Sequence, residues 1–153
     1  MFRLILVLAI AVLFLCTIGL VLLLAEWIVG KINKRAKDVS SLRIIQFVFR
    51  LILAASGVRM QVIGQERIPR DQAVLYVSNH RSYYDVISGY TLVPGLTGFI
   101  AKKEMLKIPL LSHWMRNLYC LFLDRDNLKA GLKTILTAIS YVQAGVSIWV
   151  CPE

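Results

Sequence analysis

From Leu4 to Ala25 no residue carries a charge, and no other stretch of the 153-residue chain constrains its fold as strongly. A run of this length and apolarity is long enough to cross the ~30 Å hydrocarbon core of a bilayer as a helix. It exceeds a signal-peptide core, and no small-residue cleavage pattern follows it, so it reads as an uncleaved anchor. A helix that enters one leaflet and turns back satisfies the same length. Lys31, Lys34, Arg35 and Lys37 follow the run and only Arg3 precedes it, which places the downstream part on the cytoplasmic side of a cytoplasmic membrane.

Ser40 and Ser41 stand where they could cap a second helix, predicted over residues 42–57 with Gly57 as its stop. Arg43, Gln46 and Arg50 form one narrow polar stripe on this otherwise apolar cylinder, an arrangement suited to the membrane interface with the arginines towards head groups. Residues 1–59 are therefore expected to be membrane-anchoring helices, with membrane lipids as partners. The formal net charge of +9 fits an anionic bilayer surface or a phosphorylated substrate. No nucleic-acid-binding motif accompanies it, so nucleic acid is not an expected partner. Cys16, Cys120 and Cys151 have neither disulfide nor metal-ligand spacing, and no metal site is predicted.

From Met60 onward short apolar runs alternate with helical periodicities. Met60–Ile63, Ala73–Val77, Gly98–Ala101, Cys120–Leu123 and Ser147–Cys151 are predicted strands. Between them come a helix over Tyr83–Leu92, one opened by Pro109, and one capped by Asn127. The last carries Leu132, Ile135, Leu136, Ile139 and Val142 as its apolar face and stops at Gly145. Such alternation predicts an α/β fold, a largely parallel sheet flanked by helices, preceded by the N-terminal helix pair. Ligands of these sheets bind beyond the carboxyl ends of the strands. His80, Lys102, Arg125 and Glu153 each follow a strand closely, so a base, two cations and a carboxylate are expected at one edge.

His80 leaves the Ala73–Val77 strand, and Ser82 with Asp85 three positions on has the form of a helix N-cap with an acidic N3 residue. On one continuous helix, positions five apart point about 140° from each other, so His80 and Asp85 could not pair there. With His80 in the preceding loop, the carboxylate can hold one ring nitrogen and leave the other as a base.

Asn79-His80-Arg81-Ser82-Tyr83-Tyr84-Asp85 resembles the NHxSxxD motif of the glycerolipid acyltransferases, specifically the 1-acylglycerol-3-phosphate acyltransferase family. Ala101-Lys102-Lys103-Glu104 with Pro109, then Leu121-Phe122-Leu123-Asp124-Arg125, then Pro152-Glu153, resemble three further family blocks in the same order. The resemblance implies transfer of a fatty acyl group from acyl-CoA or acyl carrier protein to the 2-hydroxyl of lysophosphatidic acid, giving phosphatidic acid. It makes His80 the general base, Asp85 its orienting carboxylate, Arg125 and Lys102 the grip on the acceptor phosphate, and Glu153 part of the acceptor block. It implies no cofactor beyond the thioester co-substrate. The family's second block carries a glycine near Tyr119-Cys120, which this sequence lacks, and Gly-Thr-Arg should follow Glu153. Residues 60–153 are accordingly expected to be an incomplete N-terminal part of the acyltransferase domain, and the chain a fragment. The alternatives are an acyltransferase with another acceptor, glycerol 3-phosphate or another lysophospholipid, and a non-catalytic membrane-anchored module that binds anionic lipid.

Overall fold

The structure, a computed structural model, describes residues 2–79 and 82–152. The chain divides into two units, Met1–Ile68 with Arg81–Val93 and Pro69–His80 with Pro94–Glu153.

In the first unit the apolar run folds as two helices, α1 (Phe2–Cys16) and α2 (Ile18–Ile32). The interruption falls at Thr17, whose hydroxyl donates to the Leu13 carbonyl, the local competition by which Thr loosens a helix. Gly19 follows, where a Cβ would strike the Phe14 backbone oxygen. Taken together Phe2–Ile32 is long and apolar enough to cross a membrane, as is the next helix, α3 (Lys34–Ser56). Leu4, Ile5, Leu8, Val12, Leu13, Val21 and Leu24 are all exposed. So much uncovered apolar surface suits lipid rather than water.

α3 starts eight residues before the predicted Leu42, because Asn33 rather than a serine caps it by accepting the Ala36 N–H. Ser40 and Ser41 are occupied differently. Their hydroxyls donate to the two Glu26 carboxylate oxygens at 2.6 and 3.0 Å, and Glu26 is buried. A carboxylate on an apolar helix must find donors when it is buried, and the neighbouring helix supplies them. Gly57 ends α3 in the left-handed conformation, φ 73°, as the sequence predicts.

The polar stripe on α3 also departs from expectation. Arg43 and Arg50 are exposed, but Gln46 is 1% exposed and faces inward. Its Nε2 donates to the Tyr90 and Val93 carbonyls, both at 3.0 Å, and its Oε1 accepts from Arg43. Those carbonyls belong to the last turn and C-cap of α4 (Tyr83–Leu92), where a helix leaves acceptors unmatched. Phe49 packs edge-on against the Tyr90 ring in the same contact. Gln46→Leu should therefore cost about 2–3 kcal/mol of stability, because two buried carbonyls lose their donor, whereas Arg50→Ala should stay within about 0.5 kcal/mol. Thermal unfolding in detergent measures both, and equal effects would contradict the clamp.

The second unit is built on four parallel strands, β1 (Leu75–Val77), β2 (Thr97–Lys102), β3 (Leu121–Leu123) and β4 (Ser147–Val150), in the order β1-β4-β2-β3. The predicted parallel α/β sheet is thus observed. Helices α5 (Pro109–Asn117) and α6 (Leu128–Gln143) connect its strands, with Pro109 at the first turn of one and Asn127 capping the other through the Ala130 N–H. Met60–Ile63, predicted as a strand, belongs to no ladder, and Ile63 is 86% exposed. Four residues of apolar character cannot by themselves distinguish a strand from an extended connection.

Gly98 lies so close to Tyr119 that a Cβ there would meet its carbonyl oxygen. Tyr119 itself has φ 61°, the left-handed conformation that glycine adopts without penalty. Tyr119 holds this turn without a glycine, and its ring packs edge-on against Tyr141 at 5.2 Å. Such a contact contributes about 0.5–1.5 kcal/mol, which offsets backbone strain of similar size.

The core of this unit is Phe99, Trp114, Leu118, Cys120, Ala138, Val146 and Ile148. The apolar face predicted for α6 does not join it, since Leu132, Ile135, Leu136 and Ile139 are all exposed. Ala138 turns inward instead, and Thr134 bonds the Phe122 carbonyl.

Candidate functional site

Because all four strands are parallel, their carboxyl ends share one edge of the sheet. β1 leads there into Ser78 and Asn79, β2 ends at Lys102, β3 leads into Asp124-Arg125-Asp126, and β4 leads into Cys151 and Pro152. Lys102 is level with Leu123 in the β2–β3 register, so Lys102 and the Arg125 turn emerge side by side. Of the residues singled out from the sequence, His80 and Glu153 lie outside the described residues.

Asp85 occupies the N3 position of α4, in the other unit. Its Oδ2 accepts the Ser82 N–H at 2.8 Å while the Ser82 hydroxyl accepts the Tyr84 N–H at 3.2 Å, a capping box. The helix start expected from Ser82 and Asp85 is therefore formed. An ionised carboxylate offers about four acceptor sites, so capping does not exhaust Asp85.

Among the described residues, ion pairs at the sheet edge join residues about twenty positions apart. Lys103, the first residue of a short 3-10 turn after β2, reaches across to Asp124 Oδ1 at 2.7 Å and Asp126 Oδ2 at 2.8 Å. Asp124 Oδ1 also accepts the Asp126 N–H at 3.1 Å. One ammonium thereby brackets the turn that carries Arg125 and opposes both carboxylates flanking it. Sequence reasoning gave Lys103 no role of its own. The clue it passed over is the pair of acidic residues on either side of Arg125, which a lysine just after the neighbouring strand β2 can reach.

Hydrogen bonds donated to Asp124 and then to Asp126 hold the Lys103 ammonium well above its ordinary range. The same bond from Lys103 holds the Asp124 carboxyl below its ordinary 3.8. A depressed carboxyl contributes stability above its ordinary value and loses it as pH falls through the depressed one. A raised ammonium contributes below its ordinary value and loses it as pH rises through the raised one. Relative to Lys103→Met, the extra stability should be flat between about pH 5 and 9 and shrink on both sides. Denaturant titrations across pH test this, and a difference that varies within the neutral window would contradict the bracket.

Among the described residues, no group of three or more His, Cys, Asp or Glu is placed to hold a metal ion. A shallow depression beside β3, lined by Arg116, Phe122, Lys133, Thr137 and Tyr141 among others, includes none of the expected site residues. The edge described above therefore remains the candidate: a row of cationic and polar groups suited to an anionic substrate group.

Comparison with known proteins bears on the chemistry. A family model described as Acyltransferase matches residues 59–153. The human 1-acyl-sn-glycerol-3-phosphate acyltransferase alpha is 28% identical over 138 residues, covering 88% of this chain and 48% of that protein. A probable 1-acyl-sn-glycerol-3-phosphate acyltransferase of Mycoplasma pneumoniae is 35% identical over 115 residues, 69% of this chain and 42% of its own length. The crystal structure of the 1-acyl-sn-glycerophosphate (LPA) acyltransferase PlsC from Thermotoga maritima superposes with a TM-score of 0.80 at 25% identity, covering 99% of this chain and 60% of that one. The chain spans about half the length of the curated relatives it matches.

Proposed function

This chain belongs to the acyltransferase family, and on that footing we propose that the protein moves a fatty acyl group from a thioester to the 2-hydroxyl of 1-acylglycerol 3-phosphate. The product is phosphatidic acid, a precursor in phospholipid biosynthesis. The observation that carries this reading is the parallel register that brings Lys102 and the Arg125 turn to the carboxyl edge of the sheet. The names of the relatives support the choice of acceptor.

In this mechanism the substrate supplies the nucleophile, so no covalent intermediate on Ser or Cys is needed. His80 draws the proton from the acceptor hydroxyl as its oxygen attacks the thioester carbonyl, and the thiol of the carrier leaves. Asp85 fixes the imidazole tautomer and stabilises the imidazolium that forms. Arg125, with Lys102, holds the phosphate through charge-assisted hydrogen bonds, and a planar guanidinium can do this bidentately. Glu153 belongs to the acceptor block. The co-substrate is acyl-CoA or acyl carrier protein, and we assign no resident cofactor or metal.

An amphiphilic acceptor is reached most directly from the bilayer surface. We place the protein at the cytoplasmic membrane with the catalytic part facing the cytoplasm, held by α1, α2 and α3. Transfer assays against a panel of acceptors test the proposal, with lysophosphatidic acid expected as the preferred one. Acylation of glycerol 3-phosphate or another lysophospholipid in its stead would reject that acceptor. Lipid binding without any transfer would favour the non-catalytic module.

A further inference from the structure

Tyr76 and Val77 of β1 are paired with Trp149 and Val150 of β4, so Ser78 and Cys151 leave the sheet opposite one another. Residues two apart on a strand share a face, which puts Tyr76, Ser78, Trp149 and Cys151 together on one side of the sheet. The Trp149 ring lies between Tyr76 and Phe99, at centroid distances of 5.4 and 6.1 Å. At the end of this aromatic row the indole Nε1–H donates to the Ser78 hydroxyl oxygen at 2.7 Å. Having accepted that bond, the hydroxyl still has its own hydrogen, and Cys151 Sγ is 3.4 Å away. The Ser78 N–H donates to the Val150 carbonyl at 3.3 Å, one step past the last ladder pair.

A phenylalanine at position 149 would serve the aromatic row equally well. Tryptophan adds an N–H donor that phenylalanine lacks, and a half-buried indole N–H needs an acceptor. The acceptor it has is the residue at which β1 departs towards the NHxSxxD motif, two positions before His80.

We propose that Trp149 and Ser78 are positioning residues. The indole N–H and the Val150 carbonyl fix the last sheet-bound residue of β1, and so set the point and direction from which the motif loop leaves. The catalytic consequence rests on the reading of His80 given above, because a base must be held within a fraction of an ångström of its working place. The structural part does not depend on it.

The test uses the full chain with Ser78→Ala, Trp149→Phe, the double variant and Ser78→Thr, which keeps the hydroxyl. Amide hydrogen exchange at Ser78 and Asn79 should rise about tenfold in each of the first two, with exchange in β2 and β3 unchanged. kcat for acyl transfer should fall about tenfold with the acceptor KM unaltered. The double variant should be no worse than either single one, and Ser78→Thr should restore both readouts. Exchange at Ser78 and Asn79 unchanged from wild type would overturn the proposal, as would single effects that multiply in the double variant. Where transfer by this chain falls below detection, the exchange measurement decides. His80→Ala with full turnover would strike the base assignment and leave the exchange result standing, so the two failures are distinguishable.

Discussion

His80→Ala is expected to lower acyl-transfer turnover by at least ~100-fold, the lower end of what a positioned general base contributes, while binding to lipid vesicles persists. An alcohol is a poor nucleophile at neutral pH, and the sequence offers no second base in the motif: of its two histidines, the other is His113 in α5. The His113 Nδ1 lies 2.6 Å from the Pro109 carbonyl one turn earlier, which fits a local structural role. Because the donor carbonyl and the acceptor phosphate are not held by His80, substrate affinity should change little, and the loss should appear in kcat. Turnover within a few-fold of wild type would remove the mechanism, whatever the fate of the family assignment.

How far the sequence alone could lead is best judged from particular residues. Asn127, Pro109, Gly57 and the Ser82–Asp85 box act within one helical turn, and each has the predicted role. The β1 to β4 runs were legible because each is a short, largely apolar stretch bounded by polar or turn residues, even though Leu75 and Val77 of β1 are exposed. That legibility carried over to the site, since the positions of Lys102 and Arg125 follow from strand ends and parallel topology without any knowledge of packing. What escaped were pairings between residues far apart in the chain. Glu26 with Ser40 and Ser41, Gln46 with the end of α4, Lys103 with Asp124 and Asp126, and Trp149 with Ser78 all bridge separate elements. Periodicity gave Ser40 and Ser41 a capping role and Gln46 a wet face because it registers polarity and not the partner that makes polarity tolerable inside. For Glu26 and Gln46 a useful signal was present: a lone polar group on an otherwise apolar helix surface has to be answered by another element. For α6, conversely, periodicity marked an apolar face that the structure leaves uncovered.

Arg125→Ala should raise the KM for lysophosphatidic acid by roughly 10- to 100-fold, the effect of losing one or two hydrogen bonds to a charged group, and leave the KM for the acyl donor nearly unchanged. The asymmetry follows from where the charge is directed. Asp124 and Asp126 flank Arg125 and would offset its charge at the sheet edge, but both are engaged by Lys103. The Lys103 contacts also hold the turn that carries Arg125 to the end of β2, which fixes where its guanidinium is presented. Arg125→Lys should recover only part of the loss, since an ammonium keeps the charge but not the planar fork. An acceptor without a phosphate, such as a monoacylglycerol, should be used equally poorly by wild type and variant. Equal increases for donor and acceptor would instead make Arg125 a structural residue of the β3–α6 turn, and the phosphate would have to be held by other groups.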